Sequence, residues 1–114
     1  MSDATPQREW RFYVNDMIEF GEKVIRFSTG LEQQAFLADV MRFDATIRNL
    51  ELIGEAATRI PEQIRQSIAG VPWRLVIAVR NRLIHGYLGL DSDTLWSIIQ
   101  TDVPALLVQL KAIK

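Results

Sequence analysis

Cysteine is absent from this chain, which excludes disulfide staples, thiolate metal ligands and a cysteine nucleophile together. Histidine occurs once, as His85, too few for a multi-histidine zinc site within one chain. No excess of one charge is present either: 13 Lys and Arg stand against 14 Asp and Glu, which argues against coating nucleic acid by bulk charge. Any contact with RNA or DNA must be local. Long apolar runs are also missing. The longest, Leu75 to Val79, is far short of the roughly 20 residues that span a bilayer. The polar opening MSDATPQREWRF lacks the apolar stretch of a signal peptide. No membrane association is expected, and the cytoplasm is the expected location. The 114 residues suit one domain, 1–114, with residues 1–8 expected as a flexible N-terminal tail.

What is present is helical periodicity. From Trp10 to Ser28 the apolar residues Trp10, Tyr13, Val14, Met17, Val24 and Ile25 recur at the 3.6-residue period. Gly30 suits the left-handed residue just past that helix. A short helix is expected over Leu31 to Ala38. The third, Arg42 to Ile60, has a narrow polar stripe of Asp44, Arg48, Glu51, Glu55 and Arg59. Asp44 with Arg48, and Glu55 with Arg59, are spaced as i,i+4 ion pairs. The rest of that helix is apolar or small, so it belongs at the centre of a bundle or in an interface, and Gly54 can admit a neighbouring helix closely. Pro61 fits the first turn of a short helix to Ala69. A fifth helix runs from Trp73 to about His85. Asp91 or Ser92 caps a last one, in which Pro104 should produce a kink near Gln100 to Val103. No segment alternates as a strand would. The expected fold is all-α, an antiparallel bundle of four long helices plus short ones.

Charge is unevenly placed. Between Glu62 and Asp91 no acidic residue occurs, whereas Arg65, Arg74, Arg80 and Arg82 lie there with His85. Guanidinium groups match phosphate oxygens in a planar fork, so this run is where a phosphate is expected to be held. At about 100° per residue, Arg80 falls inside the apolar arc of Leu75, Val76, Val79 and Leu83. An unpaired charge there costs several kcal/mol of desolvation, of order 3–5 kcal/mol. Arg80 must therefore either meet a carboxylate, Glu55 or Asp44, or face a partly wet interface. Asn81, Arg74 and His85 share the polar side, and Asn81 is spaced to orient the imidazole.

Read together, Arg80-Asn81-Arg82-Leu83-Ile84-His85-Gly86-Tyr87 has the form R-x-x-x-x-H-x-Y. This resembles the HEPN-domain superfamily, specifically its HepT-like bacterial toxin branch. The segments DATIRNLELIGEAATRIPEQIR, VPWRLVIAVRNRLIHGYLGLD and TLWSIIQTDVPAL are similar to that branch's blocks, so the likeness covers nearly the whole chain. It implies the HEPN fold and a toxin of a two-gene module acting as a metal-independent endoribonuclease. It also implies pairing with an MntA-type minimal nucleotidyltransferase antitoxin that uses ATP. Arg80 and His85 would be the catalytic pair, and Tyr87 the hydroxyl that the antitoxin silences by AMPylation. Asn81, Arg82 and Arg74 would support RNA binding, and neither a metal nor another cofactor is implied.

The residue types suit that chemistry. Metal-free cleavage uses the ribose 2′-hydroxyl as nucleophile, leaving the protein to move protons and stabilise a phosphorane. An imidazole, ordinarily titrating near about 6.5, exchanges protons at neutral pH, and a fixed guanidinium can hold the developing charge. One histidine per chain leaves one proton-transfer group short. A homodimer with a composite cleft would supply Arg80 and His85 twice. Two rival readings use the same residues: a non-catalytic HEPN module that binds nucleotides or a partner, and a purely structural dimerising bundle.

Overall fold

A computed structural model describes residues 6–87 and 89–113, with side chains from Glu9 onward. Of the tail expected over residues 1–8, positions 1–5 lie outside the described residues and 6–8 open the first helix. Among the described residues seven α-helices follow one another: α1 (Pro6–Ser28), α2 (Gln33–Ala38), α3 (Val40–Arg59), α4 (Glu62–Ser67), α5 (Trp73–Ile84), α6 (Ser92–Ser97) and α7 (Val103–Lys111). A π turn, Ile98–Asp102, joins the last two. Among the described residues there is no strand, and the fold is all-α.

Each boundary has a local cause. At the end of α1 the hydroxyls of Ser28 and Thr29 donate to the carbonyls of Val24 (2.9 Å) and Ile25 (2.6 Å), and Gly30 takes the left-handed conformation at φ +81°. Asp39 stops α2 and starts α3. Its carboxylate accepts from the backbone N–H of Arg42 at 3.1 Å and pairs with the Arg42 guanidinium at 3.2 Å. Arg42 also donates to the Phe27 carbonyl (3.1 Å), tying the start of α3 to the end of α1. Asp91 caps α6 by accepting from Thr94 N–H at 2.7 Å.

The expected disturbance at Pro104 takes a definite form. Proline offers no N–H and its ring collides with the carbonyl four residues back. The chain widens by one residue per turn over Ile98–Asp102, and Val103 N–H reaches the Ile98 carbonyl. Helix therefore runs without a break from Ser92 to Lys111.

Helix α3 is central. Its closest associations are with α1 and α5, and Ile47, Leu50, Ile53, Ala56 and Ala57 are buried between them. Much of its broad apolar surface is thus buried within one chain, as the central position in a bundle requires, while Val40 and Met41 at its start remain exposed. Both expected i,i+4 pairs on its polar stripe give way to one i,i+3 contact, Arg48 with Glu51 at 3.2 Å. Met17, Val24, Phe36, Ile60, Ile99 and Leu110 are almost completely buried, each burial contributing about 1.5–3 kcal/mol.

Candidate active site at the C-terminal end of α5

Arg80 owes its position to a glycine. A β-carbon added to Gly54 would come within 2.7 Å of Arg80 Cγ and closer still to its Cβ. Helix α5 therefore rests on bare α3 backbone at this point, and the stem of Arg80 occupies the space. Nε of Arg80 is buried without a hydrogen-bond partner, while Nη1 donates to Asn81 Oδ1 at 3.0 Å. Among the described residues no carboxylate pairs with Arg80. Neither Glu55 nor Asp44 neutralises it, which leaves the other expectation, a guanidinium facing a partly wet surface.

Asn81 departs from its expected role. Its carboxamide oxygen accepts from Arg80, and among the described residues no side-chain hydrogen bond joins it to the imidazole. His85 meets Asn81 only through the backbone, its N–H donating to the Asn81 carbonyl at 3.2 Å. His85 closes α5 at φ −101° and ψ 36°, with an exposed side chain. Arg82 is exposed beside it. Arg74 stands apart, roughly 16 Å away along α5 at about 1.5 Å per residue. It lines an open groove between α4 and α5 with Glu62, Arg65 and Gln66.

After His85 the chain turns sharply. Gly86 has φ +74° and Tyr87 has φ +67°, two successive left-handed residues, of which the second is costly for an L side chain. This turn lays the Tyr87 ring against Phe43 of α3, with centroids 6.4 Å apart and planes at 27°. Leu90 N–H then donates to the Tyr87 carbonyl at 2.8 Å. Partial burial raises the Tyr87 pKa above 10.0, and the carboxylates of Asp44 and, less, Glu51 add to the rise. Its hydroxyl is therefore neutral across the physiological range.

Sequence reasoning missed Phe36 and Phe43 as parts of this region. They lie on separate helices broken at Asp39, so their apolar character read only as core. In the fold Phe43 meets Phe36 (5.9 Å) and Phe36 meets Trp96 (5.3 Å), carrying an aromatic row from α6 to Tyr87. Among the described residues no group of three or more His, Cys, Asp or Glu side chains could hold a metal ion, and no helix is long and apolar enough to cross a membrane.

This arrangement of arginine, histidine and tyrosine lies inside the region, residues 17–113, that matches the family model described as ribonuclease HepT-like. The chain belongs to the HepT-like ribonuclease family. Its relatives are archaeal and bacterial. It is 36% identical over 100 residues to a provisionally named RNase of Methanocaldococcus jannaschii, covering 88% of this chain and 92% of that one. It is 35% identical over 100 residues to "Probable ribonuclease HepT" of Thermococcus cleftensis, covering 88% and 91%. A further provisionally named RNase, from Caldanaerobacter subterraneus subsp. tengcongensis, is 32% identical over 103 residues, covering 90% and 92%. No solved structure matches the chain. Arg80, His85 and Tyr87, which spell the R-x-x-x-x-H-x-Y pattern, all fall within the span that matches the HepT-like family.

Proposed function

We propose that this HepT-like chain is the toxin of a two-component module and cleaves RNA without a metal ion. On this reading a cognate nucleotidyltransferase antitoxin silences it by AMPylating Tyr87. The observation that carries the reading is Arg80. An arginine whose stem is wedged against Gly54, and whose guanidinium is held by Asn81 and meets no carboxylate among the described residues, lies five residues before an exposed histidine. An arginine so placed costs stability unless an anion arrives, and a phosphodiester is such an anion.

The chemistry needs few groups. The ribose 2′-oxygen attacks phosphorus, the 5′-oxygen departs, and a cyclic phosphate forms. His85 takes the proton from the 2′-hydroxyl or delivers one to the leaving oxygen. Arg80 holds the charge that grows on the non-bridging oxygens, a preorganised role. Each chain supplies one imidazole, so we assign the second proton transfer to a partner copy across a composite cleft. An apolar cleft bordered by Leu50, Pro72, Leu75, Val76 and Val103, with Leu75 half exposed, offers that copy a surface. AMP on Tyr87 would place an anionic phosphate two residues from His85 and compete with RNA for Arg80 and Arg82.

The test uses purified protein, RNA and a chelator. The unmodified chain is expected to cleave, and Arg80→Ala and His85→Ala each to lose about 10²-fold or more. Cleavage that survives both substitutions would overturn the assignment. No cleavage by unmodified protein would favour the alternative, a non-catalytic dimeric module that binds nucleotides or a partner. Light scattering is expected to give twice the 13.1 kDa chain mass, and a monomer at micromolar concentration would remove the composite cleft. Intact mass after co-expression with the adjacent gene product reports whether Tyr87 gains AMP.

A further inference from the structure

We infer that the Tyr87 ring is a stacking platform for a nucleobase of single-stranded RNA, placing the neighbouring phosphate beside His85. The inference rests on the ribonuclease reading above and adds to it a positioning role for a residue otherwise assigned only to regulation.

Five observations carry it. Tyr87 is held at φ +67°, a conformation that side-chain-bearing residues adopt at a cost and that tends to persist where surrounding contacts enforce it. The enforcing contact is the ring face on Phe43. The ring is also backed by a rigid row: Phe43 leans on Phe36, which is fully buried, and Phe36 leans on Trp96. A Gln33–Asp93 hydrogen bond of 2.7 Å clamps α2 to α6 across that row. Its last member is the most open to solvent, Tyr87 being 40% exposed while Phe43 and Trp96 are partly buried.

Charge distinguishes what can lie there. Asp44 and Glu51 are close enough to act on the Tyr87 hydroxyl, and their field repels a phosphate but tolerates an uncharged base. The guanidinium groups of Arg80 and Arg82, by contrast, find no carboxylate among the described residues. A nucleotide whose base covers Tyr87 and whose phosphate turns toward these arginines satisfies both fields. Tyr87 is two residues from His85, within about 7 Å along the backbone, so the scissile bond falls next to the imidazole. Base–aromatic stacking is tolerant of sequence, which makes the platform a device for position more than for base identity.

The experiment compares Tyr87→Phe with Tyr87→Leu. Leucine keeps an apolar contact with Phe43 and the same backbone strain but has no π face. If Tyr87 is a platform, Tyr87→Leu raises KM for a short RNA about tenfold to a hundredfold with a much smaller change in kcat, and Tyr87→Phe recovers most of the affinity. Thermal melting checks that both variants fold. A parallel measurement uses a 2-aminopurine-labelled oligonucleotide on the His85→Ala protein: fluorescence is quenched on binding, and the quench is lost when Tyr87→Leu is added. An active Tyr87→Leu protein with unaltered KM overturns the platform and leaves the nuclease standing. If no form of the chain cleaves RNA, the nuclease reading falls, and the fluorescence arm still decides the platform, because bound oligonucleotide without quenching overturns it.

Discussion

Gly54 of α3 and Arg80 of α5 occupy one space, and the missing side chain of the first makes room for the stem of the second. The atoms a Gly54 β-carbon would meet belong to the Arg80 stem near the backbone, so rotation of a flexible end cannot relieve the clash. Gly54→Ala is expected to force α3 and α5 apart. The cost should be about 1–3 kcal/mol, the usual range for overpacking, read by chemical denaturation. Displacement of Arg80 should lower RNA cleavage beyond what the stability loss explains. Wild-type cleavage by a folded Gly54→Ala protein would mean that the crossing does not set the guanidinium.

Lysine is a poor substitute for Arg80. It keeps the charge and most of the stem but offers a compact ammonium in place of a planar fork, and it has no group at Nη1 to hold Asn81 in the same geometry. Arg80→Lys is expected to melt near the parent temperature while cleaving RNA about 10²-fold more slowly. Equal rates would reduce Arg80 to a simple positive charge.

The Tyr87 phenol is raised above 10.0 first by burial and then by Asp44 and Glu51. An acid with a raised folded-state pKa binds its proton more tightly when folded. Its contribution to stability is therefore complete below pH 10 and is lost as pH climbs through the folded value. Replacing Asp44→Asn and Glu51→Gln together should bring the phenol partway back toward 10.0. Ultraviolet titration follows this, with a Tyr87→Phe counterpart subtracted to remove the Tyr13 signal. A midpoint that does not fall would show that burial alone sets the shift.

Asp91 behaves oppositely. The Thr94 backbone N–H, donating to its carboxylate, holds its pKa below 3.8. A depressed carboxylate contributes stability above its unfolded value and loses it as pH falls through the folded one. Asp91→Ala should lower the melting temperature at neutral pH, and the difference from wild type should shrink in acid below pH 3.8. A difference that persists unchanged there would point to packing and not to the cap.

Much of the fold was legible because helix boundaries are set locally. Gly30, Pro61, Asp91 and Pro104 each act through the backbone within a turn or so, and the structure places a helix end, a helix start, a cap and a π turn at or beside those residues. Arg80 also stood out, since a charge in an apolar arc is visible from helical spacing alone. Its partner was not. Spacing suggested that Asn81 would orient His85, whereas the side chain of Asn81 turned to its neighbour. Hydrogen-bond choice depends on where α3 and α5 meet, and that meeting is a property of two segments distant in sequence.

The amino-acid order by itself determined the all-α architecture, the helix ends and the R-x-x-x-x-H-x-Y signature that places the chain in its family. Tertiary structure alone decided that Arg80 would meet no carboxylate among the described residues and that Tyr87 would lie on Phe43. Periodicity reports which side of a helix is apolar but not which partner covers it. Only the packing of α5 on α3, and the left-handed turn after His85, bring those residues together.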